Sequence, residues 1–363
     1  MTDILNYPFP PGLDEIWTRE FAIQLAATQG ALSGLNEAVS LLHNPNLLMR
    51  PLLGKEAESS SRLEGTQASM EDVYRSELVD NPEKRDDVAE IVNYQDAMIR
   101  GIDIISKRPL NQFVIRQIHK TLMSGVRGQS KSPGSYRTSD VWIGREGTGV
   151  GEARYVPPAA VHLPGLMSEL ETLINSHELP PLVISGVLHH RFEAIHPFQD
   201  GNGRTGRLLI TLYLLKSKQL TAPMLYPSGF FDKNKDAYVD ALHKVDISQD
   251  WYQWLLYYLK GLETQASLSL RVAREIDALF KQFRTLIQDE VAHLGLLRVL
   301  EYCFIQPYIT VSLVSNRVQI PPNTVRRYMD TLESKGIIKQ IDTMSRGQKV
   351  FINPGIVEIL HQI

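Results

Sequence analysis

The sequence predicts an all-α protein with one β-hairpin and a small additional module at its C-terminal end. Apolar residues recur at helical spacing through most of the 363 residues, as in the series Leu35, Ala38, Leu41 and Leu42. Strand-like alternation is confined to two short regions, each of which contains a turn with glycine. Hydrophobic residues make up 43% and charged residues 22% of the chain, which is typical of a globular protein and not of a disordered or fibrous one.

Charge and cysteine content exclude several classes of protein. The formal net charge of −3 and the pI near 6.4 give no overall basic surface, so only a local patch could attract nucleic acid or a membrane. The single cysteine, Cys303, excludes an intramolecular disulfide framework and a cysteine-rich zinc site. No run approaches the roughly 18 apolar residues of a membrane span, and no signal peptide is visible. These features predict a cytoplasmic protein without membrane contact.

Helical spacing covers most of the chain, and Pro109 marks one clear break in it. The segments predicted to be helical are the region 13–106 and the stretches 111–123, 161–174, 182–194, 203–216 and 233–245. Residues 251–289 contain few helix breakers and fit either two helices or one long connector.

The predicted hairpin lies in the middle of the chain. Strand-forming residues occupy 136–143, a glycine-rich turn follows, and a second short strand is predicted at 153–156. Pro157 and Pro158 end that second strand.

The last seventy or so residues predict a winged helix. Helices are expected at 296–304, 310–317 and 323–334, a left-handed cap at Gly336, and strands at 337–341 and 349–352. Thr324, Arg326 and Arg327 lie on the third helix away from its apolar face, where DNA-reading residues would stand. Basic residues only slightly outnumber acidic ones here, so contact with DNA and contact with protein both stay open.

The segment His196-Pro-Phe-Gln-Asp-Gly-Asn-Gly-Arg-Thr-Gly-Arg207, between two predicted helices, has the composition of an anion site. Gly201, Asn202 and Gly203 allow backbone amides to approach phosphate oxygens closely. The following helix adds the positive end of its dipole. Arg204 and Arg207 project from one face of that helix and can each reach a phosphate.

Two further side chains of this segment suit phosphoryl chemistry. Asp200 is a hard oxygen ligand next to these backbone amides, suited to Mg²⁺ that bridges two phosphates. His196 has an ordinary pKa near neutrality and suits a general base. A glycine-rich turn alone is usually only a turn, but burying His, Asp and two Arg at one helix N-terminus is costly unless they bind something. The residues therefore predict binding of a polyphosphate with a divalent cation and do not specify the reaction.

The same twelve residues resemble the Fic family motif, His-x-Phe-x-Asp/Glu-Gly-Asn-Gly-Arg-x-x-Arg, at every defined position. The resemblance extends over about 109–259 and includes Gly134-Ser135-Tyr136-Arg137. It implies an all-α Fic core whose hairpin is a flap for the target segment, and transfer of AMP from ATP to a Ser, Thr or Tyr hydroxyl of a target protein or of the chain itself. The roles that it implies are a base at His196, a Mg²⁺ ligand at Asp200, an anion hole at Asn202 and Gly203, phosphate clamps at Arg204 and Arg207, an adenine pocket at Tyr238 and Leu242, and flap contacts at Ile143 and Gly144.

A second motif lies far upstream. Ser60-Ser61-Arg62-Leu63-Glu64-Gly65 is similar to the inhibitory pattern Ser/Thr-x-x-x-Glu-Gly/Asn of regulated Fic proteins. Ser60 and Glu64 are one helical turn apart and share a face, so a helix could present the carboxylate to Arg207. The alternative is a solvent-facing glutamate near a helix end.

These interpretations divide the chain into an N-terminal helical region with the inhibitory motif (1–108), a Fic core (109–260), a helical connector (261–293) and a winged-helix domain (294–363). Two other functions stay open. One is an enzyme that uses another donor or removes AMP from modified protein, and the other is a nucleotide-sensing DNA-binding regulator. Association into a homodimer is also open.

Overall fold

The computed structural model describes residues 4–7, 9, 11–42, 44–78, 85–126, 130–144, 150–290, 293–343 and 347–362. These residues are mostly helical, as predicted. The helices are α1 (Arg19–Ser40), α2 (Asn46–Leu63), α3 (Met70–Ser76), α4 (Arg85–Ile105), α5 (Gln112–Leu122), α6 (Leu163–Ile174), α7 (Pro181–Ile195), α8 (Asn202–Lys216), α9 (Ser228–Lys233), α10 (Lys235–Ser248), α11 (Trp251–Ile287), α12 (His293–Ile305), α13 (Val311–Val318), α14 (Pro322–Ser334) and α15 (Pro354–His361). The strands are β1 (Tyr308–Ile309), β2 (Lys339–Thr343) and β3 (Lys349–Ile352).

Several helices begin at side chains that suit a helix N-terminus. Thr18 Oγ1 accepts from the Phe21 amide before α1, and Asn111 Oδ1 accepts from the Val114 amide before α5. These short polar side chains satisfy amides that have no partner inside the helix. For α5 the observed start, Gln112, lies one residue from the predicted one.

Helices α7 and α8 form the centre of the molecule. Both bury residues on every side, because α4, α5, α6 and α11 pack around them. A short turn, 196–201, joins the two helices. The functional motif is thus carried by the most enclosed helix pair of the fold, which restricts the positions that its side chains can take.

Residues 251–287 form one continuous helix, α11. Of the two structures predicted for this stretch, one long connector is therefore observed and two separate helices are not. Helix α1 packs along it, and Thr28 Oγ1 donates to the Leu259 carbonyl at 3.0 Å. Helix α11 also contacts α12 and α15, so it connects the central helices with the C-terminal module.

The two strands predicted on either side of the glycine-rich turn are shorter in the structure than expected. Within the described residues, pairing is limited to an antiparallel bridge between Ile143 and Tyr155. The backbone amide of Arg137 donates instead to the Pro197 carbonyl, and the Tyr136 ring lies 5.3 Å from that of Phe198. Residues 136–137 are therefore held by the motif turn and not by a second strand. The tip of the predicted turn, 145–149, lies outside the described residues.

The C-terminal module has the predicted winged-helix order, with two additions. The two-residue strand β1 and helix α15 were not predicted. The sheet order is β1-β3-β2, antiparallel throughout. Gly336 has a φ of +71°, as expected of a left-handed cap. Arg326 and Arg327 are exposed on α14, while Thr324 is half-buried.

The winged helix packs against the helices that carry and follow the upstream motif. Helix α12 contacts α2, and Gln306 Nε2 donates to the Tyr74 carbonyl at 3.2 Å. The Tyr308 ring stacks on Tyr74 at 6.2 Å, and the Arg75 guanidinium lies 5.1 Å from the centre of the Tyr308 ring. The C-terminal module is therefore a support for α2 and α3.

Candidate active site

The turn between α7 and α8 is closed by its own side chains. Gly201 precedes α8 with a φ of +73°, in the left-handed region that glycine enters without strain. Asn202 Oδ1 accepts from the Phe198 amide at 2.8 Å, and Asn202 Nδ2 donates to the Phe198 carbonyl at 2.8 Å. The Asn202 side chain is thus used inside the turn.

The first turn of α8 directs backbone amides out of the helix. In the described part of the chain, the amides of residues 202, 203 and 204 donate to no backbone carbonyl, as is usual at a helix N-terminus. Together with the helix dipole they attract an anion. Glycine at position 203 leaves room for the Glu64 side chain at this end of the helix, since a Cβ there would collide with Glu64 Oε1.

His196 follows the last turn of α7 in a left-handed conformation, with φ of 49°, which is uncommon for a residue with a Cβ. Its Nδ1 lies 3.3 Å from the Glu193 carbonyl, which can only accept, so Nδ1 carries the hydrogen and Nε2 is the free acceptor. Desolvation by burial lowers the pKa of His196 to about 4. A neutral imidazole with an acceptor nitrogen fits a general base.

Arg137 fixes the backbone of His196. Its guanidinium donates to the His196 carbonyl at 2.9 Å and to the Pro158 carbonyl at 2.5 Å, and its backbone amide donates to Pro197. The Arg137 side chain is fully buried. No role was predicted for this arginine, although Gly134-Ser135-Tyr136-Arg137 was part of the family resemblance.

His119 supports the turn from α5. The Gly134 amide donates to its Nδ1 at 2.8 Å, so the other ring nitrogen carries the hydrogen and donates to the Asp200 carbonyl at 2.9 Å. The ring stacks on Phe198 at 3.6 Å. Burial lowers the pKa of His119 to about 4, which keeps this tautomer neutral. A role for His119 was not predicted from the sequence, because this residue follows the ordinary helical pattern of α5.

Arg207 is held by the upstream motif. Its Nε donates to Ser60 Oγ at 2.8 Å, and its Nη2 donates to the Ser60 carbonyl at 2.9 Å and to Glu64 Oε1 at 2.7 Å. The Arg207 side chain is 3% exposed and that of Glu64 is 39% exposed. Although desolvation opposes ionisation of Glu64, the guanidinium holds its pKa below the usual value.

Arg204 points in a different direction. Its Nη1 lies 3.2 Å from Glu90 Oε2 on α4, and its Nη2 lies 3.8 Å from Met123 Sδ. Glu90 also accepts from Thr66 Oγ1 at 2.6 Å, two residues beyond Glu64. The structure therefore separates the two motif arginines: Arg207 meets the upstream motif, and Arg204 anchors α8 to α4.

Asp200 offers one oxygen for a cation. Its Oδ1 accepts from the Gly201 amide at 2.6 Å, and within the described residues Oδ2 has no hydrogen bond. No group of three or more His, Cys, Asp or Glu side chains in the described residues could hold a metal by itself. One available carboxylate oxygen fits Mg²⁺ that arrives on substrate phosphates, because this ion takes few protein ligands and keeps water and phosphate oxygens.

A cavity of about 780 Å³ lies in front of the motif. The predicted site residues that line it are Glu64, Ile143, Gly144, His196, Gly203, Arg207, Tyr238 and Leu242. Ser60, Asp200, Gly201, Asn202 and Arg204 lie outside its lining. Tyr238 Oη is fixed by His189 Nε2 at 2.7 Å.

Charged residues without a predicted role also line the cavity, among them Lys235 and Glu193. Lys235 Nζ donates to the Leu63 carbonyl at 2.7 Å, beside Glu64. Glu193 lies one helical turn before His196, and burial raises its pKa to about 7. Its Oε1 is enclosed and accepts no hydrogen bond from the described residues.

Comparison with known families agrees with this geometry. Residues 23–103 match the model described as Fic/DOC family N-terminal, and residues 109–214 match the model of the Fic/DOC family. Together these matches cover more than half of the chain. The chain belongs to the Fic/DOC family. Residues 293–339 match a third model, described as winged helix-turn-helix DNA-binding.

Curated relatives of this Fic/DOC chain are named as protein adenylyltransferases. One from Drosophila willistoni is 26% identical over 200 residues, which are 53% of this chain and 37% of the relative. One from Aquifex aeolicus, named a probable protein adenylyltransferase, is 27% identical over 138 residues, 38% of this chain and 37% of the relative. The chain thus spans well under half the length of these relatives.

Solved structures show the same fold. A Fic family protein from Desulfovibrio desulfuricans aligns with a TM-score of 0.61 and 20% identity, over 95% of this chain and 98% of that one. Fic-1 from C. elegans aligns with a TM-score of 0.55 and 19% identity, over 70% and 73%. In the described part of this Fic/DOC chain, no helix is both long and apolar enough to cross a membrane.

Proposed function

We propose that this Fic/DOC protein transfers AMP from ATP to a hydroxyl of a target protein or of itself. The observation that carries the proposal is that His196, Arg207 and Gly203, at the N-terminus of α8, line one cavity. The names of the relatives, protein adenylyltransferases, support the same reaction.

The reaction follows from the chemistry of these groups. His196 Nε2 takes the proton of a Ser, Thr or Tyr hydroxyl, and the oxygen attacks the α-phosphorus of ATP. The bond from that phosphorus to the α,β-bridging oxygen breaks, and pyrophosphate leaves. The amides of 202–204 face the oxygens on which negative charge is held during transfer. Mg²⁺ bound to the phosphates and to Asp200 would supply further charge neutralisation.

We further propose that Glu64 restrains this activity. Arg207 is the one motif arginine that reaches the cavity within the described residues, and its Nη2 is taken by the Glu64 carboxylate. A triphosphate that enters the cavity must compete with a carboxylate that is already tethered beside it. ATP bound without Arg207 would place its α-phosphorus out of line with the acceptor, and misplacement of this kind costs orders of magnitude in rate.

Removal of AMP from modified protein is the second enzymatic candidate. Glu64 is 39% exposed and lines the same cavity as His196, so its carboxylate can also orient a water molecule. A nucleotide-sensing regulator is the third candidate, favoured by the winged-helix match and by exposed Arg326 and Arg327 on α14.

We also propose that the protein is cytoplasmic and that its chain is divided into four parts, 1–108, 109–260, 261–293 and 294–363. We leave contact of the winged helix with DNA or protein as alternatives, and self-association open.

Position-specific labelling separates these functions. The full-length protein is incubated with Mg²⁺, a cell extract and ATP that is labelled either at the α-phosphate or at the γ-phosphate. AMP transfer labels protein from the first donor only. Protein labelled from the γ-phosphate donor indicates phosphoryl transfer. Loss of label from protein that carried labelled AMP beforehand, without new incorporation, indicates AMP removal. Nucleotide-dependent DNA binding without labelled protein would favour the regulator.

A further inference from the structure

The stretch 99–135, which includes the end of α4 and all of α5, is strongly basic in a chain that is acidic overall. It contains seven Lys or Arg and one Asp, whereas the rest of the chain has 31 Lys or Arg against 40 Asp or Glu. The aspartate, Asp103, is already paired with Lys107. This stretch therefore attracts an anionic partner, although the whole protein does not.

A groove of about 490 Å³ lies in this stretch, between α5 and residues 133–135. Its charged lining residues, Arg116 and Lys120, are both basic and exposed, and no acidic side chain of the described residues lines it. The two are one helical turn apart on α5, so they share a face. The groove is also lined by the amide side chains of Gln112 and Gln117 and by the ring of Phe113.

Both cations of the groove keep hydrogen-bonding capacity for a ligand. Arg116 Nε donates to the Gly134 carbonyl at 2.7 Å, which orients the guanidinium, and its two terminal nitrogens donate to no group in the part of the chain that the structure describes. Lys120 Nζ has no ion pair in the same part. Phe113 is 47% exposed, and the Arg108 guanidinium lies 4.7 Å from its ring centre. Free cations beside an exposed ring suit a segment that carries carboxylates and an apolar side chain.

One segment of the chain joins this groove to the cavity in front of the motif. Ser135 lines the groove, whereas Ile143 and Gly144 line the cavity. Between them, the Arg137 guanidinium donates to the His196 carbonyl at 2.9 Å. Ser135 and Arg137 are two residues apart, so roughly 7 Å of backbone and one arginine side chain separate the groove from His196. A polypeptide bound in the groove is therefore within a few residues of the cavity.

We propose that this groove docks an acidic segment of the protein that receives AMP, a few residues away from the hydroxyl that is modified. The inference rests on the proposed function, which requires a protein acceptor, and it adds the chemistry by which that acceptor is selected. Complementary charge of this kind raises the rate of encounter and disfavours basic proteins. A protein segment fits the groove better than a nucleic acid does, because tight binding of nucleic acid requires more phosphate contacts than two cations provide.

The first test measures binding without chemistry. The full chain carrying His196→Ala is titrated into a fluorescein-labelled Glu-Glu-Phe-Glu-Glu peptide or a matched Gln-Gln-Phe-Gln-Gln peptide, and anisotropy is recorded. We expect the acidic peptide to bind about 10-fold more tightly at low salt, and this preference to decrease as salt is added. Lys120→Met removes the charge and keeps the aliphatic stem, so it should weaken the acidic peptide by about 3- to 5-fold.

Lys107→Met is the matched control, since it makes the same substitution at an exposed lysine outside the groove. It should leave the affinity for the acidic peptide nearly unchanged. Equal weakening by Lys107→Met and Lys120→Met would overturn the assignment, because the attraction would then come from diffuse charge. Single-stranded RNA of about eight nucleotides that bound more tightly than the acidic peptide, and lost affinity in Lys120→Met, would assign the groove to nucleic acid instead.

The second test measures transfer in the Glu64→Gly background. The acceptor is the acidic or the glutamine peptide, extended by a spacer of about five glycines and by serine, threonine and tyrosine. Lys120→Met should raise the KM for the acidic acceptor and leave kcat unchanged, because docking stabilises ground state and transition state equally. Equal KM for the two acceptors would overturn docking and leave AMP transfer intact. Acidic peptide that binds through Lys120 but acquires no AMP would support the docking surface and count against the proposed function alone.

Discussion

Arg207 Nη2 on α8 donates to Glu64 Oε1 at 2.7 Å, across 143 residues of sequence. The two ends of this ion pair differ in environment, since the arginine is 3% exposed and the glutamate is 39% exposed. Arg207 is thus fixed at the wall of the cavity, whereas the carboxylate can be reached from it. This asymmetry is what a displaceable inhibitor requires.

We expect Glu64→Gly to raise AMP incorporation at fixed Mg²⁺ and ATP by at least about 10-fold, because Arg207 becomes available to the triphosphate. Ser60→Ala should raise it less, since the Ser60 carbonyl still accepts from Arg207 at 2.9 Å. The control is Asp103→Gly, an exposed acid on α4 that pairs with Lys107. Adding Arg207→Ala to Glu64→Gly should cancel the gain. Equal incorporation by wild type and Glu64→Gly would remove the inhibitory role.

Asp200→Ala should lower transfer and raise the Mg²⁺ concentration needed for half-maximal rate. The physical reason is that Asp200 has one oxygen available for the ion and lies outside the acceptor cavity. Transfer rate is titrated against Mg²⁺ for wild type and variant at constant ATP. An unchanged titration curve would exclude Asp200 as a metal ligand.

Acid should destabilise the fold between about pH 6.5 and pH 4. Burial lowers the pKa of His119 and of His196 to about 4 and that of His189 to about 3, so in this range these three side chains bind more protons in the unfolded chain than in the folded one. Glu193, whose pKa is raised to about 7, acts in the opposite direction and offsets one of the three. As the pH is lowered, the free energy of unfolding then decreases by up to about 1.4 kcal/mol per pH unit for each histidine. Urea midpoints at pH 7 and pH 5 measure this loss. His119→Gln, which can keep both hydrogen bonds without titrating, should reduce the slope, and an unaltered slope would contradict the assignment.

Tyr308→Ala should loosen the support that the winged helix gives to α2 and α3. Tyr308 is 5% exposed, stacks on Tyr74 and lies under Arg75, so its truncation should cost about 3 kcal/mol. If restraint by Glu64 depends on this support, AMP incorporation should rise together with the loss in melting temperature. Arg326→Ala on exposed α14 is the control, and it should change neither. Lower stability with no rise in incorporation would show that α2 is held without the winged helix.

The sequence predicted single helices best, because the signals that define a helix come from residues close together in the chain. The motif helices were expected at 182–194 and 203–216 and are observed at Pro181–Ile195 and Asn202–Lys216. Their apolar spacing and the flanking proline and glycine residues are all short-range signals. The contact of Glu64 with Arg207 was also expected, because the resemblance supplied what spacing alone could not.

Other parts of the site depend on contacts that no local pattern carries. Arg137 reaches the His196 carbonyl across 59 residues, and His119 reaches the Asp200 carbonyl across 81. The pairing of Arg204 with Glu90 likewise depends on how α4 packs on α8. The first predicted strand is shorter than expected for the same reason, since residues 136–137 bind the motif turn and their strand propensity does not decide their structure.

The most direct test of the central claim compares two variants: Glu64→Gly alone, and Glu64→Gly combined with His196→Ala. Each is incubated with Mg²⁺, a cell extract and ATP labelled at the α-phosphate, and the label transferred to protein is measured. The account predicts labelled protein with the first variant and a rate lower by roughly 10²- to 10⁴-fold with the second, because His196 acts as the base. ATP affinity, measured by calorimetry, should stay similar in both, since the phosphates are held by α8 and Arg207. Equal labelling by the two variants, or no labelled protein with either, would contradict the account.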